Sequence, residues 1–320
     1  MKINSFLSDL LSRSVVLASI LILLLLFFYW QRIALITQKK ETPIFSEQNL
    51  EQINKTGTLN PTRQFDQDAM RTAIFEAEKN TLEKEQQYLG AIVPHHLLAA
   101  HLIADAFRQL SLQQPQTIIL IAPNHDEAGN SPIITAKNFW QTSLGILETD
   151  QTMISKLLVE PNIMLNEEVM FLEAGISDLV PFIQYYFPKT QLVPILVSNR
   201  MGNDHVARLI DLLSPYINEK TILIGSVDFS HYLPSTEAQK RDQETRSAIM
   251  EKNYEKIMKF GNDHLDSPPA LLTVLQIAEQ KGAKKEIREN TNSGNITGNY
   301  VEPGTSYFEI LFPLPLENQQ

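Results

Sequence analysis

Hydrophobic positions along the chain alternate between short continuous runs and helical stripes. From Leu89 onwards, "LGAIVP", "TIILIAP", "QLVPILVS" and "TILIGSV" are apolar runs of strand length. Such runs suit strands buried on both faces. Between them lie amphipathic stretches: "LLAAHLIADAFRQL", "QTMISKLLV", "DLVPFIQYYF" (interrupted near Pro181) and "DHVARLIDLLSPYI". A long polar helix follows at 235–260, with Ser235 as its expected cap. The next helix has Pro268 and Pro269 in its first turn and Gly282 at its end. "AKKEIREN" and "GTSYFEILF" read as late strands. Strands alternating with helices predict an α/β domain, three layers deep, with a largely parallel or mixed central sheet, over 89–315. In such sheets ligands bind beyond the carboxyl ends of the strands.

Before this domain the pattern changes. "SVVLASILILLLLFFYW" (Ser14–Trp30) is an apolar run between Arg13 and Arg32, with no polar face. At ~1.5 Å rise per residue it covers most of a ~30 Å hydrocarbon core. It ends in bulky residues and not in a small-residue cleavage site, which favours an uncleaved signal anchor over a removed signal peptide. The expectation is a single transmembrane helix within 1–36. The protein would then be single-pass, held to the membrane, with its domain outside the cytoplasm. Residues 37–88 read as a polar stalk; they include an amphipathic helix around Phe65–Ala77 that packs on the domain or spaces it. Residues 316–320 are a polar tail.

Composition narrows the chemistry. Of 320 residues, 43% are hydrophobic and 20% charged, which is ordinary for a globular chain. The net charge of −10 and the lack of a basic run argue against a nucleic-acid partner. The chain has no cysteine, so it has neither a thiolate ligand nor a Cys nucleophile. No Gly-rich phosphate cradle, G-x-S-x-G elbow or H-E-x-x-H pair is present.

The seven histidines are better distributed than their number suggests. "AIVP" runs into His95-His96, "IILIAP" into Asn124-His125, and "ILIGSV" into Asp228-Phe229-Ser230-His231. "GNDHLDSPP" offers Asp263, His264 and Asp266 just before a helix. Imidazole and carboxylate from separate loops are the ligand types for Fe(II) or Zn(II), and two His plus one carboxylate leave positions open on non-haem iron. His95 and His125 are the foremost candidates. His96 could cap or act from behind, His101 could pack inside its helix, and His205 could be a surface residue. His231 beside Asp228 could be an acid–base group held by a carboxylate. His264 stands between a ligand and a structural role.

These stretches resemble the Memo family, AmmeMemoRadiSam system protein B, which is similar in fold to the catalytic subunits of class III extradiol (LigB-like) dioxygenases. "GAIVPHH", "LIAPNH", "FWQTSLGILETD", "SVDFSHY" and the "NSGN…GTSY" pair carry the likeness, in order, over Leu89–Phe312. The resemblance implies a metal pocket at His95 and His125 with His231 close by. It places His264 where the family often has a ligating Cys, with Asp266 nearby, and assigns acid–base work to His231 and Asp228. Within "EAGIS", Glu173 matches the family's pattern, but Ala174 and Ser177 depart from it. The implied cofactor is a divalent metal, Fe(II) first, with Zn(II) or Cu as alternatives. Redox or dioxygenase-like chemistry is one implied function. A non-catalytic assembly module with AMMECR1-like and radical SAM partners, holding an unknown small-molecule ligand, is another. A metal-dependent hydrolase is the third.

Overall fold

The computed structural model describes residues 59–60, 65–83 and 85–315. All lie in one compact unit, Glu47–Gln320. The strands in chain order are β1 (Leu59–Asn60), β2 (Tyr88–Val93), β3 (Thr117–Pro123), β4 (Ile133–Thr135), β5 (Phe139–Thr142), β6 (Gly145–Leu147), β7 (Ile163–Leu165), β8 (Gln191–Val197), β9 (Thr221–Ser226), β10 (Glu286–Asn292) and β11 (Ser306–Pro313). The main sheet runs β10-β11-β2-β9-β3-β8-β4-β7. Its centre, β2-β9-β3-β8, is parallel. The β11–β2 and β4–β8 pairings are antiparallel, so the sheet is mixed. A small second sheet joins β1, β5 and β6.

The central strands are apolar throughout because both faces are covered. Along β3, Ile119 and Ile121 enter one core, with helices Asn203–Leu213 and Pro268–Gln280; Ile118, Leu120 and Ala122 enter the other, with helices Gln67–Ala77, Ala100–Leu110 and Val180–Tyr186. The period of two thus sorts one strand's side chains between two helical layers. Gly90 is needed in β2, since a Cβ there would lie 1.7 Å from the Leu223 carbonyl oxygen of β9, whereas Gly225 of β9 lies against the Ile92 side chain.

Helix starts follow local chemistry. Asp66 accepts the Asp68 and Ala69 N–H groups, and Ser267 accepts that of Ala270 ahead of Pro268 and Pro269. Ser235 differs from expectation: it is the first helical residue, and its hydroxyl bonds Asn292 Oδ1 at 2.9 Å. Pro181 sits in the first turn of its helix and does not interrupt one. Helix Gln67–Ala77 lays Met70, Ala73 and Ala77 against the domain core, and β1 pairs with β5. Part of the stretch read as a stalk therefore packs on the domain.

The expected membrane localisation is corrected. Among the described residues no helix is long and apolar enough to cross a membrane. The anchor segment on which that expectation stood, like the 316–320 tail, lies outside the described residues.

One buried acid makes the fold sensitive to pH. Glu309 on β11 is 2% exposed, lies opposite Glu289 in the β10–β11 ladder, and its Oε1 makes no hydrogen bond among the described residues. Burial pushes its carboxyl up to about 9, and nearby Asp105 adds to the rise. The folded chain therefore holds a proton that the unfolded chain loses above its ordinary value near 4.5. Stability from this group is full below that value and is lost as pH rises towards 9. Glu309→Gln should match the parent at pH 4 and exceed it at pH 8 by on the order of 2 kcal/mol, read from denaturant unfolding at both pH values.

Candidate metal centre

Three neighbouring parallel strands deliver the site. Val93 of β2 stands opposite Ser226 of β9, and Gly225 of β9 opposite Ile121 of β3, so the three exits lie side by side. Pro94-His95 leaves β2, Asn124-His125 leaves β3, and Val227-Asp228 leaves β9. The fourth contribution comes from the turn before helix Pro268–Gln280. Asp266 N–H donates to Asp228 O at 3.0 Å, and an antiparallel bridge joins Phe229 to Leu265. This short pairing seats Asp266 over the strand exits.

The side chains converge on Asp266. Its Oδ2 lies 3.4 Å from His95 Nε2 and 3.6 Å from His125 Nε2. The two imidazole rings sit edge to face with centroids 5.0 Å apart. Ligand atoms of His95, His125 and Asp266 all fall within 4.8 Å of one another. A second such triplet is Asp228, His231 and Asp266.

Each ring is oriented from behind. His95 Nδ1 bonds Ser226 Oγ at 3.0 Å, and its backbone N–H donates to Asp228 Oδ1 at 3.1 Å. His125 Nδ1 meets Glu173 Oε1 at 2.6 Å, and its backbone N–H reaches Glu173 Oε2 at 3.0 Å. Both Nε2 atoms are thereby left to face the centre, the usual arrangement behind a metal-bound histidine. Glu173 caps the short helix Ala174–Ser177 and also accepts the Gly175 N–H at 3.1 Å. Gly175 permits the close approach, because a Cβ there would lie 2.9 Å from that of Ala122.

The electrostatics are acidic and enclosed. Asp228 and Asp266 are 3% and 4% exposed, and their ion pairs among the described residues are with His95 and His125, not with Lys or Arg. Burial pulls the His125 ring down, but the Asp266 and Glu173 carboxylates beside it prevail and hold it up at about 10. Burial alone would raise the Glu173 carboxyl; the His125 ring holds it below the usual carboxylate range. Asp266 Oδ1 and His231 Nδ1 are buried and make no hydrogen bond among the described residues. Buried polar atoms are normally satisfied, so two orphans on residues that cluster with Asp228 are what a cation would complete.

The remaining expected residues divide. His264 does not join the cluster. Its ring stacks on Phe260 at 4.0 Å, with Nδ1 at 3.0 Å from Asp263 and Nε2 at 3.2 Å from Glu244. Those partners hold it on the helix side of its turn, and Asp266, two residues on, takes the place facing the histidines. Asp228 and His231 come close to each other, but no hydrogen bond joins them among the described residues; both face Asp266 instead. His96 Nδ1 bonds the buried Tyr307 hydroxyl at 2.6 Å, and His101, partly exposed, lies 3.6 Å from Glu289.

These features define a class: an α/β domain with a His–Asp centre at the carboxyl edge of parallel strands. Residues 55–307 match the family described as Memo-like protein, and the chain belongs to it. A MEMO1 family protein of Methanococcoides burtonii is 28% identical over 247 residues, spanning 74% of this chain and 91% of that one. Another, from Sulfurisphaera tokodaii, is 26% identical over 227 residues, spanning 68% and 80%. Among solved structures, an uncharacterized protein from Escherichia coli K12 covers 69% of this chain and 99% of its own, at 12% identity and a TM-score of 0.45; that likeness is too slight to bear on the fold.

Glu173 is the test of how the second ring is held. In metal-free protein, Glu173→Gln should lower the His125 titration midpoint from about 10 towards the ordinary imidazole range, followed by NMR of the ring protons.

Proposed function

We propose that this Memo-family protein binds a divalent metal through His95 Nε2, His125 Nε2 and Asp266, Fe(II) ahead of Zn(II) or Cu, and is an oxidoreductase of dioxygenase-like type. The observation that carries the reading is the third donor. It is a carboxylate, so the set is two imidazoles and one carboxylate on one side of the centre, the combination suited to non-haem Fe(II). With no cysteine in the chain, the site lacks the soft donor that would favour Cu(I). Bound there, Fe(II) supplies a redox-active centre with positions left for substrate and dioxygen.

The chain's own residues set up that centre. The Glu173 carboxylate accepts from His125 Nδ1, and Ser226 Oγ bonds His95 Nδ1, so that neither ring must reorient to ligate. Asp228 N–H donates to Asp266 Oδ2 at 3.0 Å and holds the carboxylate in place between the rings. Asn199 Nδ2 donates to the Asp266 backbone carbonyl at 2.6 Å and ties its turn to the β8 exit.

Protein from iron-replete growth should carry at least one metal ion per chain by elemental analysis. Asp266→Asn and His125→Ala should each weaken binding at the His95 side by about 100-fold or more, beyond the ~10- to 100-fold typical of losing an outer partner. His264→Ala should keep its metal. Fully folded wild-type protein without metal would sink the reading.

A further inference from the structure

The centre contains more ligand than one ion needs. Taking His95, His125 and Asp266 as the first set, as proposed above, leaves a second triplet built on the same carboxylate: Asp228, His231 and Asp266. The two oxygens of Asp266 differ. Oδ2 faces His95 and His125, and accepts the Asp228 N–H. Oδ1 is buried and makes no hydrogen bond among the described residues, and the same holds for His231 Nδ1. Asp228 shows the same division: Oδ1 takes the His95 N–H, while Oδ2 lies 3.6 Å from His95 Nε2. An ion held by the first set alone would leave buried polar atoms of the second set without a partner, which is unfavourable.

The β9 exit is shaped to present these atoms together. Asp228 and His231 are three residues apart on one loop. His231 N–H donates to Asn262 O at 2.8 Å, which fixes that loop against the turn carrying Asp266. Tyr232 then takes a left-handed conformation, φ 60, and turns the chain away immediately after the histidine.

We propose that the centre holds two divalent cations bridged by Asp266, the first with His95 and His125, the second with His231 and Asp228. A carboxylate can give one oxygen to each of two ions, and bridged pairs sit about 3.5–4 Å apart. Two triplets, each within 4.8 Å and sharing one residue, are on that scale. The charge is also suitable. Asp228, Asp266 and Glu173 bring three negative charges, since a His125 ring that ligates through Nε2 while Nδ1 bonds Glu173 is neutral. Two divalent ions would leave the site net positive, so its further ligand would be an anion or a bridging hydroxide.

Mn(II) titrated into the metal-free full-length protein tests this, with bound metal counted after gel filtration and the spin state followed by EPR. The expected result is two Mn(II) per chain with an exchange-coupled spectrum. His231→Ala should bind half as much, one uncoupled ion. One ion in the wild type overturns the second site and leaves the first intact. Two uncoupled ions overturn the bridge. No bound ion overturns the first site as well. The wild-type count and spectrum decide the matter even if a variant does not fold.

Discussion

The parallel pairing of β2 and β3 on either side of β9 is the constraint on which the rest depends. It brings His95 and His125, thirty positions apart in the chain, to opposite flanks of the strand that ends in Asp228. Parallel register fixes where each strand ends relative to its neighbours. A slip of one residue in β9 would turn Asp228 away from both rings and bring a side chain against Ile92 in place of Gly225. The ladder is held in turn by two apolar cores, one on each face, so the position of the centre is secured by burial far from it.

On this frame the protein places an arrangement that is costly by itself. Two carboxylates are buried with histidines for company and, among the described residues, no arginine or lysine as ion-pair partner. Uncompensated burial of charge is unfavourable unless pairing or a bound cation offsets it. Backbone N–H groups of His95 and Asp228 supply part of the compensation. The same groups orient the side chains, so electrostatic compensation and geometric order come from the same bonds.

Much of this was legible in the sequence. Continuous apolar runs ending in Pro-His or Pro-Asn-His marked the strand exits, because buried parallel strands need both the composition and an abrupt polar end. His95 and His125 follow from that alone. The third member of the cluster did not. His264 and Asp266 share one short turn and are both buried, and nothing local says which faces the histidines. The choice is made by Glu244, twenty residues earlier on a helix, together with Asp263 and the ring of Phe260. Glu173 was likewise visible as a residue but not as a partner, since its meeting with His125 spans 48 positions and depends on Gly175 sitting against β3.

The helix Gln67–Ala77 has a consequence of its own. Its buried side chains are small or flexible, Ala73, Ala77 and Met70, and they cover part of the layer that includes Ala100, Ala104 and Phe107. A chain shortened to Leu89, where the strand-and-helix alternation begins, would keep every residue of the candidate metal centre yet open that layer to water. The uncovered apolar surface would invite self-association. The smallest autonomous folding piece is therefore larger than the smallest piece that contains the chemistry.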